Sequence, residues 1–253
     1  DADKSTVTSL IGSLLNVRAA EFADDVKPAE GGFGADSYKV EMRTKGGATL
    51  SLVFGAQVGS GRFEGKYAED LFAMKAGSET VYVLREHTKK NALKTLSELR
   101  NKEVFGDIKR EDIAALRLEH SGQTLSFEKP KGAPHWKATS PADLAVAGKL
   151  DESPLNSLLS SLANLRAAKV LGAGEVDVAA AGFGAESRRV RVTMTVEGRG
   201  EVVLVVGKVA DEEKKEWYAQ VEGDASGTVW VLRDYVVRQM TKSSDGFKKK
   251  DSA

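Results

Sequence analysis

The sequence predicts an α+β fold made by tandem duplication: each copy is a helix packed on an antiparallel β-meander, and a small β insert separates the copies. Three observations carry this expectation. First, Asn16-Val17-Arg18-Ala19-Ala20 returns as Asn164-Leu165-Arg166-Ala167-Ala168, and Gly32-Phe33-Gly34-Ala35-Asp36-Ser37 returns as Gly182-Phe183-Gly184-Ala185-Glu186-Ser187. Thr80-Val81-Tyr82-Val83-Leu84-Arg85-Glu86 likewise returns as Thr228-Val229-Trp230-Val231-Leu232-Arg233-Asp234, in the same order and at a nearly constant offset. Second, apolar residues at helical spacing open each copy. Third, period-two alternation follows the helix in both, which is the pattern of strands with one dry and one wet face.

Taken in order, Val7, Leu10, Ile11 and Leu14 fall on one stripe of a helix, with Ser5 or Thr6 as its cap. Such a stripe is expected to face a core, since each buried leucine contributes about 1.5–3 kcal/mol. Tyr38, Val40 and Met42, the turn Gly46-Gly47, and Leu50, Leu52 and Phe54 read as a hairpin. A second hairpin joins Tyr67–Met74 to Thr80–Leu84 through Ala76-Gly77-Ser78, and a short helix near Thr88–Leu99 closes the copy. Residues Ala115–His120, Thr124–Glu128 and His135–Ala138 then read as three short strands. The second copy repeats the order. Leu155, Leu158, Leu159, Leu162 and Leu165 form the helical stripe, with Ser153-Pro154 as cap and first residue. Val190, Val192, Met194 and Val196 alternate, and Glu201–Val206 is the hairpin partner, ending at Gly207. Trp217–Val221 pairs with Thr228–Leu232, and a closing helix runs from about Tyr235 to Lys242. The expected division is therefore a first α+β repeat over 1–100, a linking small β element over 101–148, and a second repeat over 149–253 that stops inside the pattern.

Composition narrows the function. The 253 residues carry 37 basic and 37 acidic side chains, so no net charge draws the molecule to nucleic acid or to an anionic membrane. The absence of cysteine excludes disulfides, thiolate catalysis and cysteine-bound metal centres. No stretch of 18 apolar residues is present, and the chain starts at Asp1 with no signal pattern, so it reads as a trimmed segment whose membrane anchor, if any, lies outside it.

Motifs for chemistry are sparse. His87, His120 and His135 lack the spacing of a metal site and read as surface or strand-end residues. There is no GxSxG elbow and no SxxK motif. Gly59-Ser60-Gly61 fails the phosphate-loop pattern, because position 67 is Tyr67. Asp24-Asp25 and Asp211-Glu212-Glu213 do not follow calcium-loop spacing and read as solvated loops. No catalytic residue, metal ligand or cofactor is assigned, and ligand-binding residues stay unassigned. Two recurring pairs remain, Arg18 with Arg166 and Arg85 with Arg233, the second pair each followed by an acid. They read as structural ion pairs or carbonyl caps at helix ends, with a shared ligand groove as the other possibility.

The helix ending Asn-Val-Arg-Ala-Ala-Glu-Phe, the glycine turn, the strand Thr-Val-Tyr-Val-Leu, the segment Leu99–Phe105 and the His135-Trp136-Lys137 strand running to Pro141 resemble the bacterial family known as domain of unknown function 4340. The resemblance implies a repetitive α+β extracytoplasmic region, commonly behind a membrane anchor and sometimes associated with gliding-type ABC transport systems. It carries no catalytic residues. The expected role is a non-enzymatic, periplasmic protein-interaction module, with transporter subunits as candidate partners and no nucleic acid. The alternative is a glycan or small-molecule binder using exposed aromatics such as Tyr82 and Trp230, or the cleft between copies.

Overall fold

In the computed structural model both opening helices are capped by an aspartate, two or three residues ahead of the caps expected at Ser5 or Thr6 and at Ser153. Helix α1 spans Lys4–Leu15 and is capped by Asp3, whose carboxylate accepts the Thr6 N–H at 2.8 Å. Helix α4 spans Glu152–Ala163, and Asp151 accepts the Ser153 N–H at 2.9 Å. Pro154 thus stands third in its helix, where the first-turn N–H it lacks would have had no partner inside the helix. The described residues are 2–35, 37–59 and 66–250, and they divide into two units, unit 1 over residues 1–99 and unit 2 over residues 100–253.

Unit 1 places α1 with a sheet of strands β1 (Glu21–Phe22), β2 (Tyr38–Arg43), β3 (Thr49–Gln57), β4 (Leu71–Lys75) and β5 (Tyr82–Leu84), in the order β1-β5-β4-β3-β2. Helices α2 (Glu86–Ala92) and α3 (Leu96–Leu99) close it, two short pieces where one helix was expected. The split falls at Leu93, whose N–H ends the first piece on the Lys89 carbonyl, and Thr95 then caps the second through its hydroxyl.

Unit 2 repeats that sheet and extends it. Strands β6 (Ile113–His120), β7 (Gln123–Glu128) and β8 (Lys137–Ser140) precede α4; β9 (Lys169–Leu171), β10 (Val190–Val196), β11 (Gly200–Asp211), β12 (Glu216–Val221), β13 (Val229–Arg233) and helix α5 (Asp234–Met240) follow it. The eight strands run β8-β7-β6-β10-β11-β12-β13-β9. The last five mirror unit 1, and β6–β8 lie beyond β10 in one continuous sheet. The three insert strands form no separate linking element over 101–148: β6 pairs with β10 from Arg191–Glu119 to Val196–Ile113.

Two glycines, Gly55 and Gly207, fix the same crossing in both units. A Cβ on Gly55 would lie 2.1 Å from the Gly31 carbonyl oxygen, and one on Gly207 would lie 2.2 Å from that of Ala181. The bare backbone lets the glycine turn press on the middle of β3 and of β11, where Ala56 and Lys208 donate to those same carbonyls. Strand β11 therefore runs through Gly207 to Asp211 instead of ending there. In the turns, Gly32 and Gly182 hold φ of 71° and 78°, the left-handed backbone their recurrence suggested.

One continuous core fills unit 2, including Leu116, Leu118, Leu125 and Phe127 from the insert strands and Leu155, Leu158, Leu159 and Leu162 from α4. Unit 1 has two small clusters, around Val83 and around Phe54.

Candidate functional site

The apolar stripe of α1 is where sequence and structure part most sharply. Its residues correspond to those of α4, yet α4 buries Leu155, Leu158, Leu159 and Leu162 to 1% exposure or less, whereas α1 buries none of its own. Ile11 stays 46% exposed and Leu15 61%. The expectation that this stripe faces a closed core is corrected. In unit 2 the closing surface comes from residues 104–144, and unit 1 has no equivalent among the described residues.

What remains is an apolar concavity of about 430 Å³ between α1 and the β2–β3 hairpin, lined by Leu14, Leu15, Val40, Met42, Leu50 and Leu52. Leu50 is half exposed, while its register equivalent Val202 is buried. Monomeric proteins seldom leave contiguous apolar surface of this kind open, and such patches mark interaction sites.

The recurring arginines differ in what they hold. Arg166 donates to Glu103 at 3.0 Å, and the backbone around it forms a short antiparallel ladder: Val104 N–H to the Leu165 carbonyl and Ala167 N–H to the Lys102 carbonyl. Arg18 is exposed and meets no carboxylate among the described residues. It lines a separate pocket of about 420 Å³ with Arg85 and His87. Arg85 pairs with Asp70 at 3.1 Å, and the buried Asp70 carboxylate also accepts the Glu86 N–H at 3.0 Å, at the start of α2. That is a helix-start ion pair, and Asp70 is the partner that the sequence reading did not find, since the two stand 15 residues apart in sequence. At the Asp70 position unit 2 has Glu216, which faces Lys169 at 3.5 Å.

The histidines stay apart in role. His120 is buried and donates from Nε2 to the Lys242 carbonyl at 3.0 Å; burial, helped by the charge of Arg189, lowers its pKa below the ordinary value. His135 is exposed and meets Glu152 at 2.8 Å, while Glu152 also accepts the Trp136 N–H just ahead of β8. His87 is exposed on α2. Among the described residues no three His, Asp or Glu side chains gather to hold a metal ion. Asp211 turns onto Lys214 at 2.7 Å and is held below the usual carboxylate range by that contact, as expected of a solvated turn. Of the Gly59-Ser60-Gly61 segment, positions 60 and 61 lie outside the described residues. Of the two aromatics considered for ligand stacking, Tyr82 packs on Phe22 with ring centroids 5.3 Å apart, and Trp230 is buried in the core of unit 2.

A repeated helix-on-meander unit whose open face is apolar and whose polar groups serve turns and caps defines a tandem α+β repeat protein. The chain belongs to the family described as Domain of unknown function (DUF4340), which matches residues 1–147 and again residues 136–253. Neither the curated proteins nor the solved structures give a significant match. No helix among the described residues is long and apolar enough to cross a membrane.

Proposed function

We propose that the chain is a non-enzymatic protein-interaction module of the cell envelope, acting as an accessory part of an ABC-type transport system. The observation that carries the interaction reading is the open apolar face of unit 1, where Ile11, Leu15 and Leu50 are exposed although their equivalents in unit 2 are buried. Water contact at such a face costs free energy in proportion to its apolar area, so a partner that covers it gains that free energy on binding. The envelope and transport assignments are supported by the family resemblance. Photo-crosslinking from position 15 or 50 in native membranes tests the reading: a transporter subunit captured there, and not from the exposed Val178 in unit 2, is the expected result. No crosslink above that control contradicts it.

A second reading, binding of a glycan or small molecule, is favoured by an open cavity of about 920 Å³ in unit 2, with Trp230 at its apolar side and Glu197, Glu201 and Asp224 at its rim. Its size suits a drug-sized or saccharide ligand. A thermal-shift panel of neutral and cationic sugars and metabolites tests it, and a flat response across the panel removes it.

A further inference from the structure

We propose that the cavity of unit 2 over Trp230 binds an amino sugar, with the sugar's ammonium among the carboxylates of the rim and one of its oxygens on the Trp230 indole N–H. The proposal rests on the ligand-binding reading above and names the ligand's chemistry.

The cavity is about 920 Å³, and the residues that line it lie between Val104 and Trp230, inside unit 2. Its walls are the loop after Val104, the turn from β10 to β11 and the turn that follows β12. Strand β13 supplies the apolar side: Trp230 pairs with Ala219 on β12 and with Val170 on β9, so its backbone is held on both flanks.

The indole N–H of Trp230 points to a ligand. Buried tryptophans ordinarily find an acceptor for this donor, because leaving it unpaired is costly. Trp217 does so, donating to Asp234 at 3.1 Å. Trp230 is 8% exposed, lines the cavity and has no acceptor among the described residues. The side chains that seal an unpaired polar atom inside the protein are Ser51, Thr193, Glu216 and Gln239, and Trp230 is not one of them. The small surface that Trp230 keeps therefore includes the donor and faces the cavity. An indole donates and never accepts, so what meets it carries an acceptor oxygen.

Charge supplies the second requirement. Asp107, Asp112, Glu197 and Glu201 line the cavity, and among the described residues their carboxylates meet no donor and no cation. Glu222, by contrast, is taken by Arg191 at 2.7 Å. The basic side chain of the lining, Arg199, is turned to the wall, where it donates to the Phe105 carbonyl at 2.8 Å. Free carboxylates call for a cation or for hydroxyl donors, and a polyamine alone brings no acceptor for the indole. A sugar ring bearing an ammonium supplies both, and its apolar face suits Trp230, Phe105 and Val202. A basic peptide combines the same groups, but the cavity is walled by turns and not by a strand edge, so no ladder of backbone groups is there to hold one. The neighbouring cavity, about 440 Å³, shares Glu197 and carries Trp136, Lys129 and Lys131, so it repels an ammonium and leaves the amine to the Trp230 side.

The test follows the indole N–H resonances of the 15N-labelled full chain, three in all, as the β-1,4-linked dimer of glucosamine is added. Trp230→Phe, which keeps an aromatic ring in the core, assigns the Trp230 signal. A saturable shift of that signal, with Trp217 unmoved, is expected. The N-acetylated dimer keeps the rings and their oxygens but has no charge, and should bind about tenfold more weakly. Glu197→Gln with Glu201→Gln, both exposed and outside the core, should remove that preference. No saturable shift, equal binding of the two dimers, or a preference that survives the glutamines overturns the proposal. Spermine or tetralysine binding as tightly as the glucosamine dimer also overturns it, by showing that charge alone is read. The broader reading fails separately: a neutral sugar that shifts the Trp230 signal while the glucosamine dimer does not leaves a ligand site standing and removes the amino-sugar assignment alone.

Discussion

Units 1 and 2 share a strand order, a glycine crossing and a capped helix, yet one has a closed core and the other an open face. The five strands β9–β13 repeat β1–β5 in the same order, and Gly55 and Gly207 make the same close approach. What separates the units is residues 102–144, which bring three strands and a connecting segment to unit 2. The comparison teaches that the helix-and-meander motif alone cannot bury its own helix stripe. Among the described residues the five-stranded sheet ends at β2, and in unit 2 it is the strands beyond the equivalent edge that bring further apolar side chains to the helix.

The largest expected effect lies in the helices. Leu158→Ala removes a side chain that is 1% exposed and should cost about 2–5 kcal/mol, whereas Leu10→Ala, only partly buried at the equivalent position, should cost less, about 1–2 kcal/mol. Trp136, Trp217 and Trp230 all lie in unit 2, so tryptophan fluorescence during urea unfolding isolates that unit, and hydrogen exchange reports unit 1. Equal costs in the two helices would break the comparison.

Next come the crossing glycines, where the units are alike. Gly55→Ala and Gly207→Ala each force a Cβ against a carbonyl oxygen and should destabilise their own unit by about 1–3 kcal/mol. A large effect in one unit only would show that the shared motif is not equally built.

A smaller effect follows from His120. Its folded pKa is depressed by burial, so the folded state binds fewer protons than the unfolded state. Its contribution is therefore fully present above the unfolded pKa, about 6.5, and is lost as pH falls through that value toward the lowered folded one. The tryptophan-detected midpoint of unit 2 should drop between pH 8 and pH 5.5, and His120→Gln should flatten that drop. The smallest effect concerns the recurring arginines. Arg166→Ala removes an exposed pair and should cost at most about 1 kcal/mol, and Arg18→Ala should leave stability unchanged.

Much of this architecture is legible in the residues. The repeat, the alternation of Val190 to Val196 and the helix stripes are local patterns, and local patterns are what a chain displays in order. The two-residue β1 and three-residue β9 went unread because such short edge strands have no period to show. The insert strands were legible as strands, but not as part of the second sheet, since the pairing of Arg191 with Glu119 spans a sequence separation that no spacing rule reports. The same limit hid the candidate site. Val7, Leu10, Ile11 and Leu14 look like fully buried core residues, and only the end of the sheet at β2 shows that none of them is closed over. Asp70 was missed for a related reason: a lone aspartate before a strand carries no sign of the helix start it serves.

The most direct measurement is hydrogen exchange of the free chain, read peptide by peptide across the paired elements. If unit 2 is closed by its three added strands and unit 1 is open at β2, amides of α1 and of the outer edge of β2 exchange many times faster than those of α4 and β10. Equal protection of β2 and β10, with α1 as slow as α4, would contradict the account by showing that unit 1 is already closed.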